Sequence, residues 1–316
     1  MAFDLTSIAL IILGLGLFET VSSIDNAVIN AEVLRTMSPK ARRWFLLWGM
    51  LFAVFIVRGL LPWVIIWWTT PELGFIGSFT ATFSSDPAVI EAVEKSAPLL
   101  LVGGGLFLIL LFFHWLFMEQ KEYGLHHERF FHKHSVWFFA AASIILAVMV
   151  WFTLKKDPLM AFGAVLGSTA FFITHGFKEN AEKAEHTLLH PKETKETKET
   201  LSDWSKILYL EVIDTTFSID GVLGAFAFTL SIPIILLGNG LGAVIVRQLT
   251  IGNIERIKKY KYLKNGAMYS VFALGLVMIA DSFGVQVPPW VSPVITFVIL
   301  GYFFYRSKKA LALAGA

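Results

Sequence analysis

The chain of 316 residues contains no cysteine, so disulfides, thiolate metal sites and cysteine nucleophiles are excluded. It is also poor in charge: 16% of its residues are Asp, Glu, Lys or Arg, against about a quarter in an ordinary soluble chain. Net charge is +2 at pH 7, too small to mark a nucleic-acid binder or another partner chosen by bulk electrostatics. No nucleotide-binding motif is present. Gly103-Gly104-Gly105 lies inside an apolar run, with no following Lys-Ser/Thr, and reads as a place of close helix packing rather than a phosphate loop.

What the chain does have is apolar surface. Hydrophobic residues make up 56%, with 10 Trp and 29 Phe, and the mean hydropathy is +0.66. A bilayer core requires about 20 apolar residues per helix, and nine stretches meet that need: 5–34, 42–68, 98–118, 135–153, 158–176, 204–229, 231–250, 265–283 and 290–306. The expected fold is therefore all-α, a single polytopic membrane helix bundle of nine spans. The first stretch has no basic leader and carries Glu19, Asp25 and Asn26, so it reads as a span, not a cleaved signal. Alternate connecting segments hold 21 of the lysines and arginines against 3 in the opposite set. That asymmetry predicts an N-terminus outside and a C-terminus in the cytoplasm. Tryptophans cluster near span ends as an aromatic belt.

Two long connections have their own pattern. Asp86-Pro87 reads as a cap and first helical residue, predicting a short surface helix. Lys178–Leu189 reads as a separate amphipathic helix, followed by the low-complexity run KETKETKET at 192–200, with Ser202 capping the sixth span.

An internal repeat emerges when Glu19-Thr-Val-Ser-Ser23-Ile-Asp25-Asn26 is laid over Asp214-Thr-Thr-Phe-Ser218-Ile-Asp220-Gly221. The next spans agree too, with Gly49 to Arg58 and Gly238 to Arg247 equally spaced. Repeat one is 5–118 and repeat two 204–283. Residues 119–203 connect them, and 284–316 add a helix. The positive-inside reading gives the copies opposite orientation, the arrangement of secondary transporters, which bind near mid-membrane at the repeat interface.

Glu19, Asp25, Glu211, Asp214 and Asp220 all fall inside predicted spans. Five unpaired carboxylates there would cost about 15 kcal/mol on the insertion scale. Arg58 and Arg247 are too few to neutralise them, though they can serve as counter-charges or reach toward an interface. At 3.6 residues per turn, Asp25 does not share a face with Glu19, nor Asp220 with Asp214. This predicts that each helix unwinds, near Ser23–Asn26 and near Ser218–Gly221. Carboxylates, hydroxyls and carbonyls are hard oxygen donors suited to Mn²⁺, Mg²⁺ or Ca²⁺, and such acids also carry protons. The candidate metal residues are Glu19, Asp25, Asn26, Glu211, Asp214 and Asp220, supported by Ser23, Ser218, Asn239, Arg58 and Arg247. Asp281, near the outer end of the eighth span, reads as a solvated helix end or an exit ligand. His126, His127, His132 and His134 gather in one loop, a metal collector or a solvated pH-sensitive segment. His114 and His175 read as lone interfacial residues.

The paired acid-x3-Ser-x-Asp motifs, FSID at 217–220, the Gly-Asn…Arg span at 238–247 and YLKNG at 262–266 resemble the TerC/Alx family of bacterial and archaeal integral membrane proteins. The resemblance implies inverted three-helix repeats in a cytoplasmic membrane, and links to manganese export and to pH or tellurite stress. It carries the family's metal-site acids onto the six residues above. Gly221 stands where the family commonly has Ser. Val277 stands where a Lys is expected, with His114 the approximate counterpart in the first copy. The resulting expectation is a non-enzymatic exporter of a divalent cation, Mn²⁺ first, driven by protons, with metal and proton as substrates, no tightly bound cofactor, lipid as its surroundings and oligomeric state open. The alternatives are a stress-response membrane protein without transport and a membrane metal-dependent enzyme.

Overall fold

Lipid offers no hydrogen-bond partner, so a chain this apolar must satisfy its backbone within helices or closed barrels. The computed structural model describes residues 5–49, 52, 58–80, 87–189, 202–252, 257 and 259–314, and these contain helices and no strand. The side chains of Asp25, Asn26, Arg58 and Ser218 lie outside the described part.

The main helices are α1 (Leu5–Ser22), α2 (Ile24–Arg35), α3 (Pro39–Trp44), α4 (Arg58–Thr69), α5 (Gly74–Thr80), α6 (Pro87–Met118) and α7 (His126–Lys133). After these come α8 (Phe138–Leu154), α9 (Pro158–Leu189), α10 (Asp203–Ala225), α11 (Ile232–Gly252), α12 (Leu263–Ser282) and α13 (Val291–Ala314). Among the described residues, six segments are long and apolar enough to cross a bilayer: Leu5–Ser22, Ser96–Met118, Ser135–Leu154, Pro158–Asn180, Ile232–Thr250 and Leu263–Ser282. The other three expected spans are less plain. Helix α10 carries Glu211, Asp214 and Asp220, and α13 runs into Arg306, Lys308 and Lys309. The 42–68 stretch is divided into α3, a π turn at Phe45–Gly49 and α4, with residues 50, 51 and 53–57 outside the described part.

Two sequence expectations are corrected. Pro87 does open a helix, but α6 continues through Pro98 to Met118 as one element, so no separate surface helix precedes the span; Asp86 lies outside the described residues. Helix α9 also runs unbroken from Pro158 to Leu189. The apolar stretch and the charged one that follows share a helix because nothing at Gly176–Lys178 breaks it. Ser202 caps α10 as expected, its Oγ accepting from the Ser205 N–H at 3.2 Å.

Helix α6 is the central post. Of its membrane segment, 83% is buried, whereas 17% of Ser135–Leu154 is, which leaves α8 facing outward. Leu106, Leu108, Leu110 and Trp115 are completely enclosed. Small residues let neighbouring backbones close in, as membrane packing requires. A methyl at Gly105 would lie 2.9 Å from the Gly275 carbonyl oxygen, and one at Gly275 would lie 2.9 Å from that of Gly105. Around this reciprocal crossing, Phe112 packs on Phe272 and Tyr269, so α6 and α12 are antiparallel. On its other side, Gly103 meets Gly163 and Gly167 of α9. The glycine triplet is thus a packing surface.

Candidate functional site

Helix α1 ends at Ser22 and α2 begins at Ile24, leaving Ser23 alone between them with φ −88° and ψ 6°. The expected unwinding in the first motif is therefore a one-residue break. Ser23 keeps its backbone engaged: its N–H donates to the Glu19 carbonyl at 3.1 Å, and its own carbonyl accepts from Ala27 at 2.9 Å. Its hydroxyl donates to Glu19 Oε1 at 2.5 Å. The second motif behaves differently. Helix α10 passes through Ser218–Gly221 without interruption and stops only at Ala225, so unwinding there is not observed.

Gly221 has another role. A methyl there would lie 2.8 Å from Glu19 Oε2, so the missing side chain makes room for the carboxylate of the other motif. Gly242 on α11 does the same from a second side, since a methyl would lie 2.6 Å from Glu19 Cβ and 2.8 Å from the Gly16 carbonyl oxygen. Glu19 is completely buried. It is therefore held by α1, α10 and α11 together, beside the residue that follows Asp220.

Farther along α10, buried Asp214 accepts a hydrogen bond from Asn30 Nδ2 of α2 at 2.9 Å. Asn30 escaped the sequence reading; it stands one helical turn beyond Asn26, and that spacing was its only signal. Glu211, one turn before Asp214, faces Gly49 of the π turn, where any side chain would strike its Oε1. Both Glu211 carboxylate oxygens are buried without a hydrogen-bond partner, as are Asp220 Oδ1, both amide atoms of Asn239 and Nε of Arg247. Buried polar atoms are nearly always paired, and these unpaired ones lie on two helices, α10 and α11. Among the described residues, no three or more His, Asp or Glu are arranged to hold a metal ion. The predicted site residues Asp25, Asn26, Ser218 and Arg58 have side chains outside the described part. Asp281 is exposed, in keeping with a solvated helix end.

Asp220 opens onto a cavity of about 60 Å³. Ser22 and Ser23 line it from the helix break, Glu119 from the end of α6, Lys178 from α9 and Lys264 from α12. Lys264 Nζ lies 2.7 Å from Glu119 Oε2. Nothing in the sequence joined these charges, which lie far apart along the chain. His114 and His175 are not lone: their rings meet at 4.0 Å between centroids, and His114 Nδ1 lies 3.9 Å from Glu119 Oε1. In the histidine-rich segment, Glu128 is completely buried, accepting from Gly124 N–H at 2.7 Å and Asn265 Nδ2 at 2.9 Å. His127 Nε2 pairs with the Tyr269 hydroxyl at 2.6 Å. Glu128 and His127 tie the segment to α12, while His126, His127 and His134 are exposed, in keeping with a solvated segment.

Burial pushes the Glu119 carboxyl upward, but Lys264 and then Lys178 outweigh it and hold the pKa at about 2, below its ordinary 4.5. A depressed folded-state pKa gives stability that is present above the ordinary value and lost as pH falls toward 2. The pair therefore contributes constantly between pH 5 and 8. Lys264→Met should cost about 1–2 kcal/mol near neutrality, a partly exposed version of breaking a buried pair. Thermal unfolding of both proteins from pH 7 to 3 should show the gap narrowing below pH 4.5; a gap independent of pH would mean that the lysine contributes by packing alone.

Comparison with known proteins gives a family and one relative. Residues 24–310 match the family described as Protein of unknown function (DUF475). The "Uncharacterized membrane protein YceF" of Bacillus subtilis is 28% identical over 85 residues, 27% of this chain and 33% of that protein. The alignment thus spans a third of the relative's length. No solved structure matches.

Proposed function

We propose, from the premise that this chain belongs to the DUF475 family and is a multi-pass membrane protein, that it exports a divalent metal cation, Mn²⁺ first. The observation that carries this reading is the buried Asp220 Oδ1, without a hydrogen-bond partner, on a cavity that Ser22 and Ser23 of the helix break also line, with Glu19 against the next residue, Gly221. Glu211 and Asn239 carry further buried oxygens without hydrogen-bond partners on α10 and α11. Hard oxygen donors in a lipid-embedded protein match a hard divalent cation. Asp25 and Asn26, on the first turn of α2, complete the proposed set, and Ser23 and Ser218 support it. Arg58 and Arg247 supply fixed positive charge.

The inverted repeat belongs to the same proposal, and the packing supports it. Helices α1 and α11 run parallel, with Gly16 against Gly238 and Glu19 against Gly242. Under the sequence alignment, Gly16 corresponds to Glu211 and Gly238 to Gly49, and that equivalent pair is also in contact. The third helices of the two copies cross antiparallel at Gly105 and Gly275. The motif resemblance to the TerC/Alx family points the same way. Nine spans with N-terminus out, and residence in the cytoplasmic membrane of a bacterium or archaeon, complete the picture.

Moving a divalent cation outward against an inside-negative potential costs about 4.6 kcal/mol per 100 mV. In the absence of a nucleotide-binding motif, protons drawn inward supply that energy, with the site acids carrying metal and proton in turn. Rocking one repeat against the other exposes them alternately. The test is cellular content of several metals measured together, with and without the protein. Lower Mn²⁺ in cells that make it is the expected result. Unchanged content for every divalent ion under load would end the exporter reading.

A further inference from the structure

The sequence offers Arg58 and Arg247 as the counter-charges of the site, but the cavity at Asp220 is lined by lysines from elsewhere: Lys178 of α9 and Lys264 of α12. The two are not equivalent. Lys264 is committed to Glu119 at 2.7 Å. Lys178 lies within electrostatic reach of both Glu119 and Asp220. The remaining charged or titratable groups around Asp220 are Glu19, which reaches Gly221 from α1, and the His114–His175 pair beyond Glu119.

We propose that Lys178 is a tethered counter-ion of the cation site, neutralising Asp220 when no metal is bound and shifting onto Glu119 when metal arrives. This deepens the transport reading and rests on it. The chemistry suits a lysine: a compact charge on a flexible four-carbon stem, able to change partners where an arginine fork would be fixed. The cavity has room for a few water molecules, enough for an ammonium to swing. Glu119 is a ready second partner because Lys264 keeps it in place and ionised. Helix α9 lies between the two repeats in the sequence, so this places a role in metal binding on the connecting segment, outside both copies of the motif. An empty site that carries its own cation avoids a bare carboxylate in lipid. It also makes bound metal and bound Lys178 mutually exclusive.

The test is Mn²⁺ binding to the full-length protein in lipid nanodiscs by isothermal titration. Lys178→Met removes the competitor and should tighten binding about tenfold, the scale of one charge–charge interaction in a partly buried site. Glu119→Gln leaves Lys178 with Asp220 alone and should weaken binding by a similar factor. In Lys178→Met/Glu119→Gln the second change should weaken binding less than it does in the wild type, since only Lys264 is left to be redirected. Lys178→Arg, whose guanidinium fork does not change partners as readily, should weaken binding relative to wild type, and tighter binding would count against the proposal. Thermal unfolding checks that each variant folds, and if Lys178→Met does not, Glu119→Gln alone decides by weakening binding or leaving it unchanged. Lys178→Met with unchanged or weaker binding, or Glu119→Gln acting equally with and without Lys178, would overturn the counter-ion role while metal binding stands. A wild type that binds no Mn²⁺ would instead remove the transport reading beneath it.

Discussion

Asp220→Asn should abolish metal efflux, a loss of at least about a hundredfold, while the protein still folds. The carboxylate faces a cavity with two lysines, and its Oδ1 is buried without a hydrogen-bond partner. In the proposed mechanism it is a metal ligand, and removing one partner of a buried charge interaction typically costs 2–5 kcal/mol. Asparagine is nearly isosteric, so the cavity wall that Asp220 shares with Phe18 and Val271 keeps its shape. The loss should therefore appear in transport and not in the unfolding temperature. Asp25→Asn, the equivalent change in the first motif, should do the same. The measurement is Mn²⁺ efflux from loaded cells, with thermal unfolding of each purified variant beside it. Unimpaired efflux from both variants would remove these acids from the site.

The second large effect is expected at Gly242. A methyl there meets Glu19 Cβ at 2.6 Å and the Gly16 carbonyl at 2.8 Å, and neither can move away easily: one is the root of a fully buried side chain, the other helix backbone. Gly242→Val should separate α1 from α11 and turn Glu19 off Ser23. Overpacking of this kind costs about 1–3 kcal/mol, and the displaced carboxylate should take transport with it. A drop of several degrees in unfolding temperature together with lost efflux is the expected pair of results. Gly176→Val is the control, because nothing lies within 4 Å of a methyl at that position. If the two variants behaved alike, the close approach of α1 and α11 would not matter.

Much of this molecule is legible in its residues. Long apolar runs predict the transmembrane helices because lipid forces helical backbone wherever water is excluded. The Ser202 cap and the glycine triplet are read correctly because both depend on local chemistry: a hydroxyl at a helix start, and missing side chains on an apolar face. The errors have one cause. Pro98 and the polar change at Lys178 look like boundaries in a window of residues, yet α6 runs through Pro98 beside residues buried in the core, and nothing at Gly176–Lys178 ends α9. The two acidic motifs share a pattern, and only the first breaks its helix. In the second, Gly221 is spent on clearance for Glu19.

The chain's own chemistry determined that it lives in a membrane, that its acids sit within helices, and that two segments echo each other. Hydropathy and spacing are properties of neighbours along the chain, so a string of letters contains them. Which charges meet was decided only in three dimensions. Lys264 reaches Glu119, Lys178 shares a cavity with Asp220, and Asn30 holds Asp214, because helices distant in sequence pack at glycines and bring their ends together. Electrostatic energy depends on separation through space and on the exclusion of water, and chain folding alone sets both.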